Sequence, residues 1–237
     1  MKKAIIIGAS SGIGRALAKK LTDNNYTVGI TGRRSDKLKT LSDNKPEKFQ
    51  VSSFDVTSDG SLKKLDELVA KLGGLDLLVF SAGMGELNDN LDTVTELQTI
   101  ELNVNSFTKV AIWAYHLFKK QGYGHFLGIT SVAGLRGNGH APAYNASKSY
   151  QINYLEGLQH RVAKENLPIH FTDVRPGFVD TAMAKGEGLF WVASTDIAAK
   201  QIFNLIKRKQ KVGYVTKRWR LISILLRVLP KRILMKI

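Results

Sequence analysis

Tyr144 and Lys148 stand four residues apart in a segment, AYNASKSYQINYLEGLQHRVAKE, that reads as a helix. At 3.6 residues per turn the two side chains share one face, which brings the ammonium within a few ångströms of the phenol. A free phenol ionises near pH 10, and a cation about 4 Å away at an effective dielectric near 20 is worth about 4 kcal/mol, an upper bound of roughly three pK units. The spacing therefore predicts a tyrosine that can give or take a proton near neutral pH. A bare Y-x-x-x-K is also what the surface of an amphipathic helix carries. The elements around the pair decide between the two.

Those elements alternate strand and helix from the start of the chain. Lys2 to Ile7 is a short apolar strand that runs into Gly8-Ala9-Ser10-Ser11-Gly12-Ile13-Gly14 and then an amphipathic helix. A glycine-rich turn between a buried strand and a helix lets backbone N–H groups approach a phosphate at the positive end of the helix; the alternative is a tight turn with no ligand. A second strand, Tyr26 to Thr31, ends at Gly32-Arg33-Arg34. An acidic residue there would bond the ribose diol of NAD, whereas arginine accommodates a 2′-phosphate, so Arg33, with Arg34 beside it, points to NADP(H).

A third strand, Lys48 to Phe54, stops at Asp55-Val56, where the Asp either takes a hydrogen bond from an adenine amino group or caps the helix expected from near Ser58 to Gly73. Leu75 to Phe80 is a continuous apolar run, as a central parallel strand requires, and it ends in the small residues Ser81-Ala82-Gly83. A helical pattern then runs from about Thr93 to Gln121 with Asn103 inside it. His125 to Thr130 forms a fifth strand that delivers Ser131 at its carboxyl end, where parallel sheets hold their chemistry. Ile169 to Val174 is a sixth strand, Asp196 to Arg208 a helix and Val212 to Thr216 a seventh strand. The expected architecture is α/β, a doubly wound parallel sheet of about seven strands with helices on both faces.

Composition bounds what this sheet can belong to. At 237 residues with 43% apolar composition the chain makes one α/β domain. It has no Cys, so disulfides and thiolate metal sites are excluded and no metal is expected, which fits a reducing, cytoplasmic setting. The first apolar run is too short for a signal-peptide core, and no run of about 18 apolar residues is present to span a membrane as a helix. The formal charge of +15 is uneven: from residue 197 onward there are 12 Lys and Arg and no Asp or Glu.

In their order and spacing, GASSGIG at 8–14, Asp55-Val56, Ala82-Gly83, Asn103, Ser131, Tyr144 with Lys148, and Pro176-Gly177 with Thr181 resemble the short-chain dehydrogenases/reductases. The resemblance spans about the first 215 residues and implies a single-domain Rossmann fold. It further implies that Tyr144 is the general acid in reduction, that Ser131 bonds the carbonyl oxygen, and that Lys148 lowers the Tyr144 pKa and holds the nicotinamide ribose. Asn103 would position a water linking Lys148 to solvent. Gly8, Ser10, Ser11, Gly12, Ile13, Gly14, Ala82, Gly83, Pro176, Gly177, Val179 and Thr181 would line the cofactor, the last two against the nicotinamide amide. The chain departs from many members at Ile7 and Ser81, where Thr and Asn are common.

Two stretches carry less. The segment Phe178 to Val192, with Met183, Leu189, Phe190 and Trp191, either covers a substrate pocket or packs as ordinary core. A basic tail is expected at 217–237, after a dinucleotide-binding and catalytic domain at 1–216. In it Arg220, Ser223, Arg227 and Lys231 make a narrow polar stripe among apolar residues, with Pro230 ending the helix. Such a helix lies on an anionic membrane surface, at the inner face, or packs on its own core or another subunit of a homodimer or homotetramer. Nucleic acid is a poorer partner, because no reading motif accompanies the charge. The expected activity is hydride transfer between NADP(H) and a carbonyl or secondary alcohol, a hydrophobic ketone above all; the alternative is a non-catalytic NADP(H)-sensing or membrane-associated protein on the same fold.

Overall fold

The computed structural model describes residues 1–184, 190–230 and 232. Seven parallel strands, β1 (Lys2–Ile7), β2 (Tyr26–Gly32), β3 (Phe49–Ser53), β4 (Leu77–Phe80), β5 (Gly124–Ile129), β6 (Ile169–Pro176) and β7 (Val212–Val215), form one sheet in the order β3-β2-β1-β4-β5-β6-β7. The order reverses between β1 and β4, so the carboxyl ends of these two strands flank a crevice in which ligands of such sheets bind. β4 and β5 are buried at every position, whereas the edge strand β3 alternates buried and accessible residues, as coverage on both faces of the centre demands.

Helices α1 (Gly12–Thr22), α2 (Ser35–Ser42) and α7 (Thr195–Arg208) pack one face of the sheet, through Leu17, Leu38 and Ile202 among others. Helices α3 (Ser61–Leu72), α5 (Phe107–Gln121) and α6 (Pro142–Lys164) pack the other. There Phe107 meets Phe80 and Phe126 edge to face at 5.2 and 5.8 Å, each ring wholly buried and worth roughly 1.5–3 kcal/mol. This aromatic contact sets the height of α5 against the ends of β4 and β5.

Four differences from the sequence reading have local causes. The helix expected to run unbroken from Thr93 comprises α4 (Thr93–Ile100), a π-helical turn over Glu101–Ser106, and α5. Asn103 sits inside that turn, a wider coil found frequently at functional sites. Helix α2 lies where no helix was read, since it is eight residues long and anchors on only Leu38 and Leu41. Helix α3 starts at Ser61, not near Ser58, because Gly60 takes the left-handed φ of +80° just before it.

The tail is the fourth. Helix α8 (Trp219–Val228) ends before Pro230 as expected, but Ser223 is fully buried and donates to the Trp219 carbonyl at 2.7 Å, so it belongs to the packed face and not to a polar stripe. Lys231 lies outside the described residues. Trp219, on the tail side of the expected boundary, is buried over Gly177, where a Cβ would stand 2.0 Å from its ring. Arg136 donates to the carbonyls of Leu226 and Arg227 at 2.7 and 2.8 Å, closing the C-terminal end of α8 with a cation. One side of α8 is thus part of the body. The other side exposes Leu221, Ile224, Leu225 and Val228.

Candidate active site

The residues read as catalytic or cofactor-binding lie at or just beyond the carboxyl edge of the sheet, or on a helix facing it. The turn after β1 is a cradle built for close approach. Gly8 has φ +91°, and a Cβ there would sit 2.6 Å from the Ala82 amide; a Cβ on Gly14 would collide with the Gly8 carbonyl. Gly12 faces Thr181, whose methyl would be 3.2 Å from an added Cβ. Helix α1 opens here with no acidic residue in its first turn, leaving the free amides of its N-terminus to meet an anion. The turn fits a dinucleotide's phosphates: Gly8, Gly12 and Gly14 clear the space, and Ser10, Ser11 and Ile13 form its rim.

Arg34 spans the outer lip of this cradle. Its guanidinium donates to Ser10 Oγ at 2.7 and 3.2 Å and to Ser11 Oγ at 2.7 Å. Arg33 is largely exposed and lies 3.8 Å from the Asp55 carboxylate, too far and too wet to be worth more than a few tenths of a kcal/mol. Asp55 bonds the Thr57 amide and hydroxyl at 3.0 and 2.8 Å through one oxygen, so it caps its own turn and not α3. Val56 is buried in the core beneath it. Pro176 ends β6, Gly177 follows under Trp219, and Val179 forms a bridge with Ala193 that anchors the segment carrying Thr181.

The chemical groups gather beyond β4 and β5. Ser131 is buried, and its Oγ accepts from the Ala133 amide at 3.1 Å while its own proton faces the Pro176 carbonyl at a long 3.5 Å and the Tyr144 phenol. Its neighbour Thr130 donates to Asp173 at 2.5 Å, and Asp173 is paired with Arg175 at 2.6 Å, a buried ion pair beneath the site. Tyr144 is half-buried on α6, with Gly85 against its ring: a Cβ there would be 2.6 Å away. Lys148 is 4% exposed, and Gly83 leaves its ammonium room, since an added Cβ would approach to 3.5 Å.

The expected acidification of Tyr144 by Lys148 is not what this geometry gives. The ammonium sits 5.8 Å from the centre of the tyrosine ring and donates to the Ile129 carbonyl and to Gln151 Oε1, both at 3.0 Å, and not to the phenol oxygen. Burial pushes the Tyr144 phenol above its ordinary value, with the Ser131 hydroxyl pulling the other way. Burial also pulls Lys148 down to about 8, partly offset by Asp173. At neutral pH the site therefore holds a protonated phenol beside a mostly protonated amine. Desolvation of both groups outweighs the attraction that helical spacing alone suggested.

Asn103 is fully buried, and its side chain is taken by protein: Nδ2 donates to the Met84 carbonyl at 2.7 Å and Ser147 Oγ at 2.9 Å, and Oδ1 accepts from the Met84 amide at 3.0 Å. Sequence reading missed Gln151, the Asp173–Arg175 pair and Trp219. Gln151 had a signal, three residues beyond Lys148 on the same helical face. Asp173 and Arg175 had one too, charges two apart within an otherwise apolar strand.

Comparison with known proteins agrees with this arrangement. The short chain dehydrogenase family profile matches residues 2–189. An uncharacterized oxidoreductase of Myxococcus xanthus is 35% identical over 191 residues, 77% of this chain and 74% of its own. The 3-ketoacyl-(acyl-carrier-protein) reductase of Brucella melitensis, complexed with NADH, superposes with a TM-score of 0.82 at 20% identity over 90% of this chain and 95% of that one. ElxO with NADP bound does so at 0.78 and 25% identity, over 90% and 96%. The glycine cradle, the Ser131–Tyr144–Lys148 group and the matched profile lead to one conclusion: the chain belongs to the short chain dehydrogenase family and is an oxidoreductase.

Proposed function

We propose that the protein reduces a carbonyl compound, a hydrophobic ketone above all, to a secondary alcohol with NADPH. The observation that carries this reading is the convergence of the Ser131 hydroxyl, the protonated Tyr144 phenol and the Lys148 ammonium at the sheet edge, beside a cradle kept open by Gly8, Gly12 and Gly14. When bound, the nicotinamide cofactor supplies hydride to the carbonyl carbon. Ser131, with its proton free of any short bond, holds the carbonyl oxygen and steadies the charge developing on it. Tyr144 gives that oxygen its proton, for which a phenol kept protonated by burial is the right form. Lys148 keeps a positive charge near the resulting phenolate.

The preference for the 2′-phosphate rests on Arg34 lying over Ser10 and Ser11, with Arg33 beside it and no carboxylate at the end of β2. A hydrophobic substrate is supported by Met183, whose terminal methyl would meet a Cβ on Gly83 at 4.0 Å; Phe190 and Trp191 pack instead on Trp219, at 5.2 and 6.3 Å, and Leu189 lies outside the described residues. A non-catalytic sensing role is disfavoured because a sensor needs no Ser131–Tyr144 pair. Measuring NADPH and NADH oxidation against a panel of aliphatic and aromatic ketones tests the reading. Turnover with NADPH preferred is expected; preference for NADH would remove the role given to the arginines, and no turnover with either would remove the reading itself.

The partners we propose follow from exposed apolar faces. Val94, Leu97, Ile100 and Ile112, on α4 and α5, suit contact with a second copy, which light scattering would report as a dimer or tetramer. The free face of α8, Leu221, Ile224, Leu225 and Val228 with Arg220 and Arg227 beside them, suits an anionic membrane surface. Flotation with phosphatidylglycerol vesicles should be lost in Leu221→Glu; equal flotation of the two proteins would dismiss it.

A further inference from the structure

The helical step that sets Lys148 after Tyr144 sets Gln151 on the same face, fully buried between α6 and the π-helical turn. Its carboxamide joins two site residues at once. Oε1 accepts from Lys148 Nζ at 3.0 Å and Nε2 donates to the main-chain carbonyl of Asn103 at 2.8 Å. The partners fix the direction of the amide, because an ammonium only donates and a carbonyl only accepts; turned over, it would set donor against donor and acceptor against acceptor. A buried amide has no packing advantage over a leucine of similar volume, and it is tolerated only when both its ends are bonded. Here both ends are bonded, each to a residue of the site. Lys148 and Asn103, which the family resemblance relates through a water leading to solvent, are here joined by a side chain of the protein itself.

We propose that Gln151 is a positioning residue for the reduction: it holds the Lys148 ammonium against β5 and the Asn103 carbonyl, so that one of the three Nζ protons is left for the ligand. The count is short. Ile129 O takes one proton and Gln151 Oε1 a second, which among the described residues leaves the third. Among the described residues the groups facing the ammonium from neighbouring elements are few: Asp173 of β6, already engaged by Arg175 and Thr130, the phenol of Tyr144 on the same helix, and the neutral Asn103. With so few neighbours, removing one acceptor changes the balance between ammonium and amine. Lys148 is already held near 8, so the change falls where it can be measured.

This inference deepens the proposed reductase reading and rests on it for its consequence, but its test does not depend on turnover. Protein labelled with 13C-lysine is titrated by NMR, the Lys148 signal being assigned by its loss in Lys148→Arg. In Gln151→Leu the ammonium loses an acceptor and Lys148 should titrate about one pH unit lower than in the parent; in Gln151→Glu, which offers a carboxylate, it should titrate higher. The alkaline limb of kcat for ketone reduction should move the same way in each variant, with kcat in Gln151→Leu down about tenfold. Should Gln151→Leu fail to fold, Gln151→Glu alone decides by the direction of its shift. An unmoved Lys148 titration overturns the proposal, as does a fall in kcat with an unmoved alkaline limb, the mark of a merely structural role. A shifted titration in a protein that turns over no ketone would overturn the reductase reading and leave the link between Gln151 and Lys148 standing; turnover with unshifted titration would do the reverse.

Discussion

The two ends of the groove along the sheet edge are built on opposite principles. At the chemical end, Asn103, Ser131, Lys148 and Gln151 are buried and almost every polar atom is bonded to another part of the chain. At the other end, Arg33 is largely exposed, with a distant carboxylate as its neighbour, and Arg34 rests on two serine hydroxyls. Buried groups are worth keeping only in a fixed geometry, so under the proposed function that end carries the reaction. Exposed arginines lose little by swinging toward a ligand, so under the proposed function the outer end tells one cofactor from another at small energetic cost.

The contrast predicts effects of unequal size. The largest is at the buried end: Tyr144→Phe should lower kcat about 10³-fold while NADPH binding, followed by cofactor fluorescence, stays within about twofold. Undiminished turnover would move the acid elsewhere. Next comes stability. The folded-state value of Lys148 is about 8, below its ordinary 10.5, so between these values the unfolded chain holds the proton that the folded chain has released. Its contribution to stability therefore rises with pH across that window, by about 3 kcal/mol, and below pH 8 the burden of the buried cation is present in full. Urea unfolding at pH 7 and pH 10 should show this rise in the parent relative to Lys148→Met, and parallel behaviour of the two proteins would contradict it.

Ser131→Ala should cost about 10²-fold in kcat, with KM for the ketone less affected. At the outer end Arg34→Ala should raise KM for NADPH about tenfold and leave KM for NADH nearly unchanged, and equal changes for both would show that Arg34 only stiffens the turn. The smallest effect is on α8: Leu221→Glu, at a side chain 70% exposed, should leave stability within about 0.5 kcal/mol and kcat unaltered.

How much of this was legible in the sequence follows the same division. The seven strands, the glycine cradle and the places of Ser131, Tyr144 and Lys148 could be read directly, because the central strands are apolar runs, the outer one alternates, and these residues stand just after a strand or on the helix that follows. What the sequence could not show was which way side chains turn on a helix face. Lys148 turns to Ile129 and Gln151 instead of to the phenol oxygen, and burial raises the Tyr144 pKa where the spacing alone predicted a fall. Ser223 reads as polar and therefore outward, yet it satisfies itself on the Trp219 carbonyl and is buried. The π-helical turn at Asn103 has no periodicity signal, since six residues are too few to shift a pattern of 3.6.

The central claim is that this site moves hydride from a nicotinamide ring to a carbonyl carbon. It is tested most directly by supplying NADPH deuterated at C4 on the transferred side, together with a ketone from the panel, and reading the product by mass spectrometry and NMR. The account predicts one deuterium on the carbinol carbon, formed by the parent and not measurably by Tyr144→Phe. Cofactor that binds and is never oxidised, or product that carries no label, would contradict it.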